Sequence, residues 1–357
     1  MVGVFRLVLV ILLGVVLLVG AGIIAVRLLR RARNRRLAAL AAGPRRSLLA
    51  FVADNGEQGA EDLIAIPEDA WRAALPAARS LLGKLRGEAH AALVSVFLHR
   101  GAARAALADL RSRSAVRRAR AAQLLGDLEL RQAVPELCRL LTDRDHEVRV
   151  VAVRSLGRIG DPAAAWRLIA SLDLHDPVPS LLATHTLVQL GADAEVTLSA
   201  ALDHPEARVR AVCLDALGLI GATGAAVRMA RVLREDGNLD VRVAAAAGLG
   251  RLGTRTAYQP LAAALDPTRP PALRAAAARA LGDLGSPVAV PALAARLGDG
   301  DFHVAHDAAL SLRRLGPDGI AALRARAEAE PGTSAAAHCR ESLAHAEVPL
   351  TGMAAAR

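Results

Sequence analysis

Residues Glu147–Asp161 read EVRVVAVRSLGRIGD. Val148, Ala152, Leu156 and Ile159 stand at i, i+4, i+8 and i+11, which is one face of an α-helix. Gly160 follows at once and offers the left-handed C-cap that lets a chain reverse. The sentence then recurs. With Ile159 as anchor, the equivalent positions are Leu128, Leu190, Ile220, Leu252, Leu284 and Leu315, at steps of 30 to 32 residues. A self-similarity at that period is the mark of a repeat architecture.

Each copy shares a grammar. Eleven residues before the anchor stands Val148, Val209, Val241, Leu273 or Val304, and beside it in five copies is an arginine: Arg118, Arg149, Arg210, Arg242 or Arg274. Small residues follow at Ala152, Ala245, Ala277 and Ala308, then Leu-Gly as in SLGRIG and GLGRLG. A second helix falls in register, for example AVPELCRLL, AAWRLIASL and AAVRMARVL, with Pro135, Pro260 and Pro291 early in it, where a missing amide is tolerated. Asp-rich turns such as TDRDHE and GDGD lead into the next copy and offer N-caps.

A helical hairpin with two apolar faces cannot bury both alone, and stacking its neighbours against it does. The fold class is therefore all-α: a right-handed α-solenoid of about seven hairpins of 30–32 residues, preceded by one transmembrane helix. In chain order, 1–29 reads as the membrane anchor and 30–68 as a basic juxtamembrane segment and linker. Residues 69–113 read as N-terminal capping helices, 114–347 as the solenoid and 348–357 as a flexible tail. The third copy departs most, since Pro179 and Ser180 replace the Val-Arg pair, and a kink is expected there.

Composition agrees. The chain is 53% apolar but only 2% aromatic, which suits closely packed Ala- and Leu-rich helices better than one wide core. Nine of the 45 basic residues lie in residues 1–46, which carry no acid, so the other 36 face 35 acids. The excess sits beside the N-terminal apolar run and not on a basic face, which disfavours nucleic acid as a partner. Cys138, Cys213 and Cys339 are odd in number and widely spaced, and read as small buried hydrophobes in a reducing compartment.

Leu7–Val26, LVLVILLGVVLLVGAGIIAV, is twenty residues without a charge, long enough for about 30 Å of hydrocarbon. The run continues past the small residues at Gly20 and Ala21 into a basic block, which favours an uncleaved anchor over a signal peptide. Arg27, Arg30, Arg31, Arg33, Arg35 and Arg36 follow it, against Arg6 alone before. The positive-inside rule puts the N-terminus outside and the solenoid in the cytoplasm, with these arginines against anionic lipid headgroups.

The stretch DRDHEVRVVAVRSLGRIGDPAAAWRLIASL resembles the short bacterial HEAT repeat, also called the phycobilisome-lyase HEAT-like repeat, and the likeness runs over roughly Ser114–Ala346. That resemblance implies a non-catalytic scaffold or adaptor for a partner protein, with the second helices lining the concave face. The outward positions there are Glu136, Arg139, Arg167, Arg228 and Arg231, opposite Leu137, Leu168 and Met229. Trp166 stands where other copies carry Pro135, Val227, Gln259 or Pro291, as either an exposed interface anchor or the filling of a gap between copies. The partner is a protein, in one case another membrane protein or its cytoplasmic part.

The same resemblance offers an enzymatic alternative, a bilin lyase or a di-iron hydroxylase. Di-iron members place His-Glu pairs at one position of several first helices. Here His306-Asp307 occupies such a place, but Ala119, Val150, Leu181, Ala211, Val243 and Ala275 are in register with it, and none ligates iron. His146-Glu147 lies in a turn, out of register, and His303 with His306 lacks a third ligand. No catalytic residue, cofactor or metal site is expected. The recurrent arginines read as ties to a neighbouring repeat's Asp or carbonyl groups, with Asp145 and Asp240 nearby in sequence.

Overall fold

A computed structural model describes residues 2–54 and 59–347; within the first helix and at the very end of the last, only some side chains are described. Among the described residues there is no strand. The chain divides into two units, Met1–Ala108 and Asp109–Arg357.

The first unit holds α1 (Val2–Ala53), α2 (Ala60–Ala65), α3 (Glu68–Leu82), α4 (Gly87–His99) and α5 (Ala102–Asp109). Its core takes Leu48 and Phe51 from α1, Leu63 from α2, Trp71 and Leu82 from α3, and Leu93 and Phe97 from α4. Trp71 and Phe97 meet edge to face with centroids 5.5 Å apart. Arg100 lies 4.4 Å over the Trp71 ring and donates to the carbonyls of Leu63, Ile64 and Ile66. It thereby satisfies the open C-terminus of α2, a task otherwise left to water. Part of the stretch read as linker is thus ordered: α2 lies inside it, held by Leu63 in the core and by a distant guanidinium.

The apolar run Leu7–Val26 falls mostly on side chains outside those described. Of those described, Leu18, Ile23, Ile24 and Val26 are exposed. Among the described residues no single helix is long and apolar enough to cross a membrane. The tail from Val348 also lies outside the described residues.

The second unit is the repeat array. Its hairpins are α6 (Ala115–Asp127) with α7 (Val134–Arg139), α8 (His146–Ile159) with α9 (Ala165–Ser171), and α10 (Ser180–Gln189) with α11 (Glu195–Ala200). Then come α12 (Ala207–Ile220) with α13 (Ala226–Glu235), α14 (Leu239–Leu252) with α15 (Tyr258–Ala264), and α16 (Pro271–Leu284) with α17 (Val290–Ala294). Finally α18 (Phe302–Arg314) pairs with α19 (Pro317–Ala329), and α20 (Ser334–Glu347) closes the array. Every anchor residue from Leu128 to Leu315 sits at or just after the end of a first helix.

The core is a column of small and branched side chains. Val148, Ala152 and Leu156 of α8 are fully buried, as are Leu137, Leu168 and Leu198 of successive second helices. Each such leucine contributes about 1.5–3 kcal/mol by leaving water. Asp145, Asn238 and Asp301 accept amide hydrogens of the first turns of α8, α14 and α18, so the polar turns do cap helices. Gly160 closes α8 at φ 66°, in the left-handed region. In the first copy the same place is held by Glu129 at φ 52°, among the described residues the one non-glycine with positive φ. The third copy differs at its start: Pro179 sits at the N-cap and α10 has ten residues where α8 has fourteen.

Where a copy carries two glycines, as in SLGRIG, ALGLIG, GLGRLG and ALGDLG, they do different jobs. The second ends the helix; the first lies inside it, where the next repeat passes. A Cβ on Gly250 would stand 2.7 Å from the Ala280 Cα, and one on Gly126 would stand 2.7 Å from the Ser155 Cα. Consecutive first helices therefore approach at backbone distance, which only glycine facing a small residue permits.

Candidate partner-binding face and a histidine cluster

The recurrent arginines face the turn that opens the following repeat. Arg118 donates through Nε and Nη2 to both carboxylate oxygens of Asp143, at 2.7 Å each, and through Nη1 to the Ser112 and Arg113 carbonyls. Arg210 grips Asp236 in the same two-pronged way at 2.7 and 2.8 Å, and Arg274 grips Asp299 at 3.1 and 2.7 Å. Arg149 pairs with Asp176 and donates to the Asp143 carbonyl. The partners are thus Asp143, Asp176, Asp236 and Asp299 rather than Asp145 and Asp240. Asp145 is occupied as the N-cap of α8, and Asp240 lies inside the first turn of α14.

Each of three gripped carboxylates also accepts the amide two residues on: Asp145 N to Asp143, Asn238 N to Asp236, and Asp301 N to Asp299. Burial opposes the charge on Asp143, Asp236 and Asp299. The arginine and amide hydrogen bonds outweigh it, and hold all three carboxyls below the ordinary range. Arg242 differs. Among the described residues it makes no ion pair with a carboxylate; its Nε, like that of Arg149, is buried without a hydrogen-bond partner, and Asp266 instead binds Thr268. Fully engaged by their own fold, the paired arginines offer little to a ligand.

The second helices carry a different row. Trp166, Val196 and Val227 stand at one register position of α9, α11 and α13 and are 54%, 80% and 75% exposed. Pro135, Gln259 and Pro291 continue the row, also exposed. The Trp166 ring does not fill the space between copies. The Arg167 guanidinium lies 4.0 Å over it, and beside it is a hollow of about 360 Å³ lined by Cys138, Arg139, Leu141, Thr142, Arg167, Ala170 and Ser171. Burial pushes the Cys138 thiol up to about 11, which keeps it protonated at neutral pH.

Around this row lie the charges singled out from the sequence. Glu136 pairs with Arg139 and, at 3.5 Å, with Arg111. Arg228 and Arg231 converge on Asp203. Leu137, Leu168 and Met229 point inward and are fully buried.

At the other end of the array, His306 of α18 meets His338 and Glu341 of α20. Their ligand atoms all lie within 4.8 Å of one another, and His306 Nδ1 is 3.7 Å from Glu341 Oε2. Phe302 stacks on His306 with its centroid 5.6 Å away and meets His338 edge-on at 4.9 Å. Asp307 turns instead to Arg279, at 2.6 Å. His146 lies 3.4 Å from Asp176, beside Arg149. The closing helix supplies the residues that sequence reading missed. The signal was there: His338 is one repeat period of 32 residues after His306, and Glu341 follows it at i+3.

An array of helical hairpins stacked one on the next, with no strand among the described residues, is an α-solenoid. The family model for HEAT repeats matches residues 100–187, 194–271 and 260–344, more than half the chain, and the protein belongs to the HEAT-repeat family. No curated protein sequence matches it. Among solved structures it is similar to the complex of CpcE and CpcF of phycocyanin lyase from a Nostoc species, with 23% identity, 68% of this chain and 94% of that chain covered, and TM-score 0.33. Human deoxyhypusine hydroxylase aligns at 22% identity over 84% of this chain and 99% of its own, with TM-score 0.31. A mutant of Kap121p aligns at 13% identity over 87% of this chain and 39% of its own, with TM-score 0.56. At that identity the last likeness speaks for the solenoid fold alone.

Proposed function

We propose that the protein is a non-catalytic scaffold, tethered to a membrane by Leu7–Val26, whose second-helix face docks a partner protein. The observation that carries this reading is the exposed row Trp166, Val196 and Val227. Three large apolar side chains at one register, rimmed by arginines, have the make-up of a protein interface: an apolar centre with an aromatic anchor and a polar edge. The tether is supported by the charge-free run itself and by the arginines that follow it. In this reading the N-terminus is outside, the solenoid is in the cytoplasm, and Arg27, Arg30, Arg31, Arg33, Arg35 and Arg36 meet anionic headgroups.

A photo-crosslinking residue at Val196, introduced into the full chain in native membranes, tests the docking face. One discrete adduct is expected, lost in the Trp166→Ala, Val227→Asp double variant and absent from a crosslinker at Arg154, which is exposed on a first helix. The same adducts from both sites, or none from Val196, would remove the docking face from the account. The tether is tested separately, by whether the chain stays with membranes in alkaline carbonate. Release into the wash would refute the anchor while leaving the docking face intact.

A further inference from the structure

We propose that His306, His338 and Glu341 form a binding site for one divalent first-row transition ion, with Zn²⁺ the natural occupant, that clips the closing helix α20 onto α18.

The donors come from two helices whose packing already brings them together. His338 and Glu341 lie three residues apart, so their side chains leave one face of α20 side by side. His306 reaches them from α18. Zinc binds imidazole nitrogen at about 2.0–2.1 Å and carboxylate oxygen at about 2.0–2.2 Å, so two donors on a tetrahedral ion lie about 3.4 Å apart. The His306–Glu341 edge is 3.7 Å and the widest of the three is within 4.8 Å. Closing that triangle shortens its widest edge by no more than about 1.4 Å.

Donor chemistry selects the ion. Two imidazoles and one carboxylate are borderline ligands that suit zinc and its neighbours, whereas Ca²⁺ and Mg²⁺ prefer all-oxygen cages. The surroundings suit a held site too. His338 is nearly buried, at 8% exposed, while His306 and Glu341 remain open to solvent, so an ion can enter. Phe302 packs against both imidazoles and restrains the ring orientations that ligation needs. Three protein donors leave a fourth position for water on the open side.

The position in the chain gives the ion something to do. α20 packs against α18 and α19, the last hairpin among the described residues, and the three ligands bridge it to α18.

The test uses the full chain, purified in detergent without a polyhistidine tag and stripped with chelator, then titrated with Zn²⁺ and Co²⁺. Wild type is expected to bind one equivalent, with Co²⁺ giving the visible absorption of a low-symmetry four-coordinate site. Zn²⁺ should also slow hydrogen exchange of the α20 amides. His306→Asn and Glu341→Gln, at sites open enough to leave the fold intact, should each weaken Zn²⁺ binding by at least about tenfold. Exposed His303→Asn should leave it unchanged. His338→Gln is informative only if its circular dichroism matches wild type. Absence of a saturable Zn²⁺ site, or equal affinity in wild type, His306→Asn and Glu341→Gln, overturns the proposal.

Discussion

The two units of the molecule are both helical, yet they fill space by opposite means. In the first, Phe51, Trp71 and Phe97 are buried at the centre of an irregular set of helices. In the second, no Phe, Tyr or Trp among the described residues is buried: Tyr258 is half-buried, and Trp166 and Phe302 are more than half exposed. Irregular packing leaves wide gaps of differing shape, and aromatic rings fill them. A repeat solves one interface and copies it, so leucine, alanine and glycine suffice and aromatic bulk is released for the surface. In the array, an aromatic residue therefore points to recognition or ligation rather than to core.

Substitutions can break that contrast. Phe97→Ala should cost the most, about 4 kcal/mol in denaturant unfolding, because a large cavity opens in the first unit. Next comes the charge ladder. Asp299→Ala leaves Arg274 buried without its carboxylate, and about 3 kcal/mol should be lost, the low end for breaking such a pair. The ladder also sets an acid limit. The folded carboxyls of Asp143, Asp236 and Asp299 titrate below their unfolded value, so the stability they confer is complete above about pH 4 and declines as pH falls below it. Asp299→Ala should flatten that decline in thermal melts taken across acid pH.

Gly250→Val should cost about 2 kcal/mol, since its side chain meets the Ala280 backbone and the helices must part. Glu129→Gly works in the other direction. It should stabilise by about 1 kcal/mol, read as a higher Tm, by relieving a left-handed conformation that glycine adopts freely. Trp166→Ala should change stability least, within about 0.5 kcal/mol, while abolishing the crosslink expected at Val196. A large loss of stability at Trp166 would return it to the core and erase the contrast with Phe97.

The repeat array was legible in the sequence because its signals are periodic. Anchors from Leu128 to Leu315, the reversing glycines and the outward register of Arg167 and Arg231 all follow from helical spacing. What escaped depends on distance between segments. Arg100 holding the end of α2 is a contact across more than thirty residues, invisible to any local pattern. The reason for the interior glycines also escaped, because only the stacked structure reveals Ala280 and Ser155 against them. His306 was weighed with first helices alone, so its ligand partners on α20 went unseen. Four of the five arginines engage Asp143, Asp176, Asp236 and Asp299 and Arg242 engages no described carboxylate, a choice no local pattern shows, because Asp145 is taken up in capping α8.

The charge ladder is not continuous. Its carboxylate rungs join the first three hairpins, then the fourth to the fifth, then the sixth to the seventh. Ser180 stands where the third hairpin would carry its arginine, and Arg242 finds no carboxylate to grip in the fifth. At the step after α11 the pairing of Arg228 and Arg231 with Asp203 takes the rung's place, whereas after α15 no ion pair among the described residues joins the hairpins, which leaves that joint the softer one. When a bound partner demands a different curvature, the bending will gather at that joint, which lies beyond the apolar row of Trp166, Val196 and Val227 and leaves the spacing of that row unchanged.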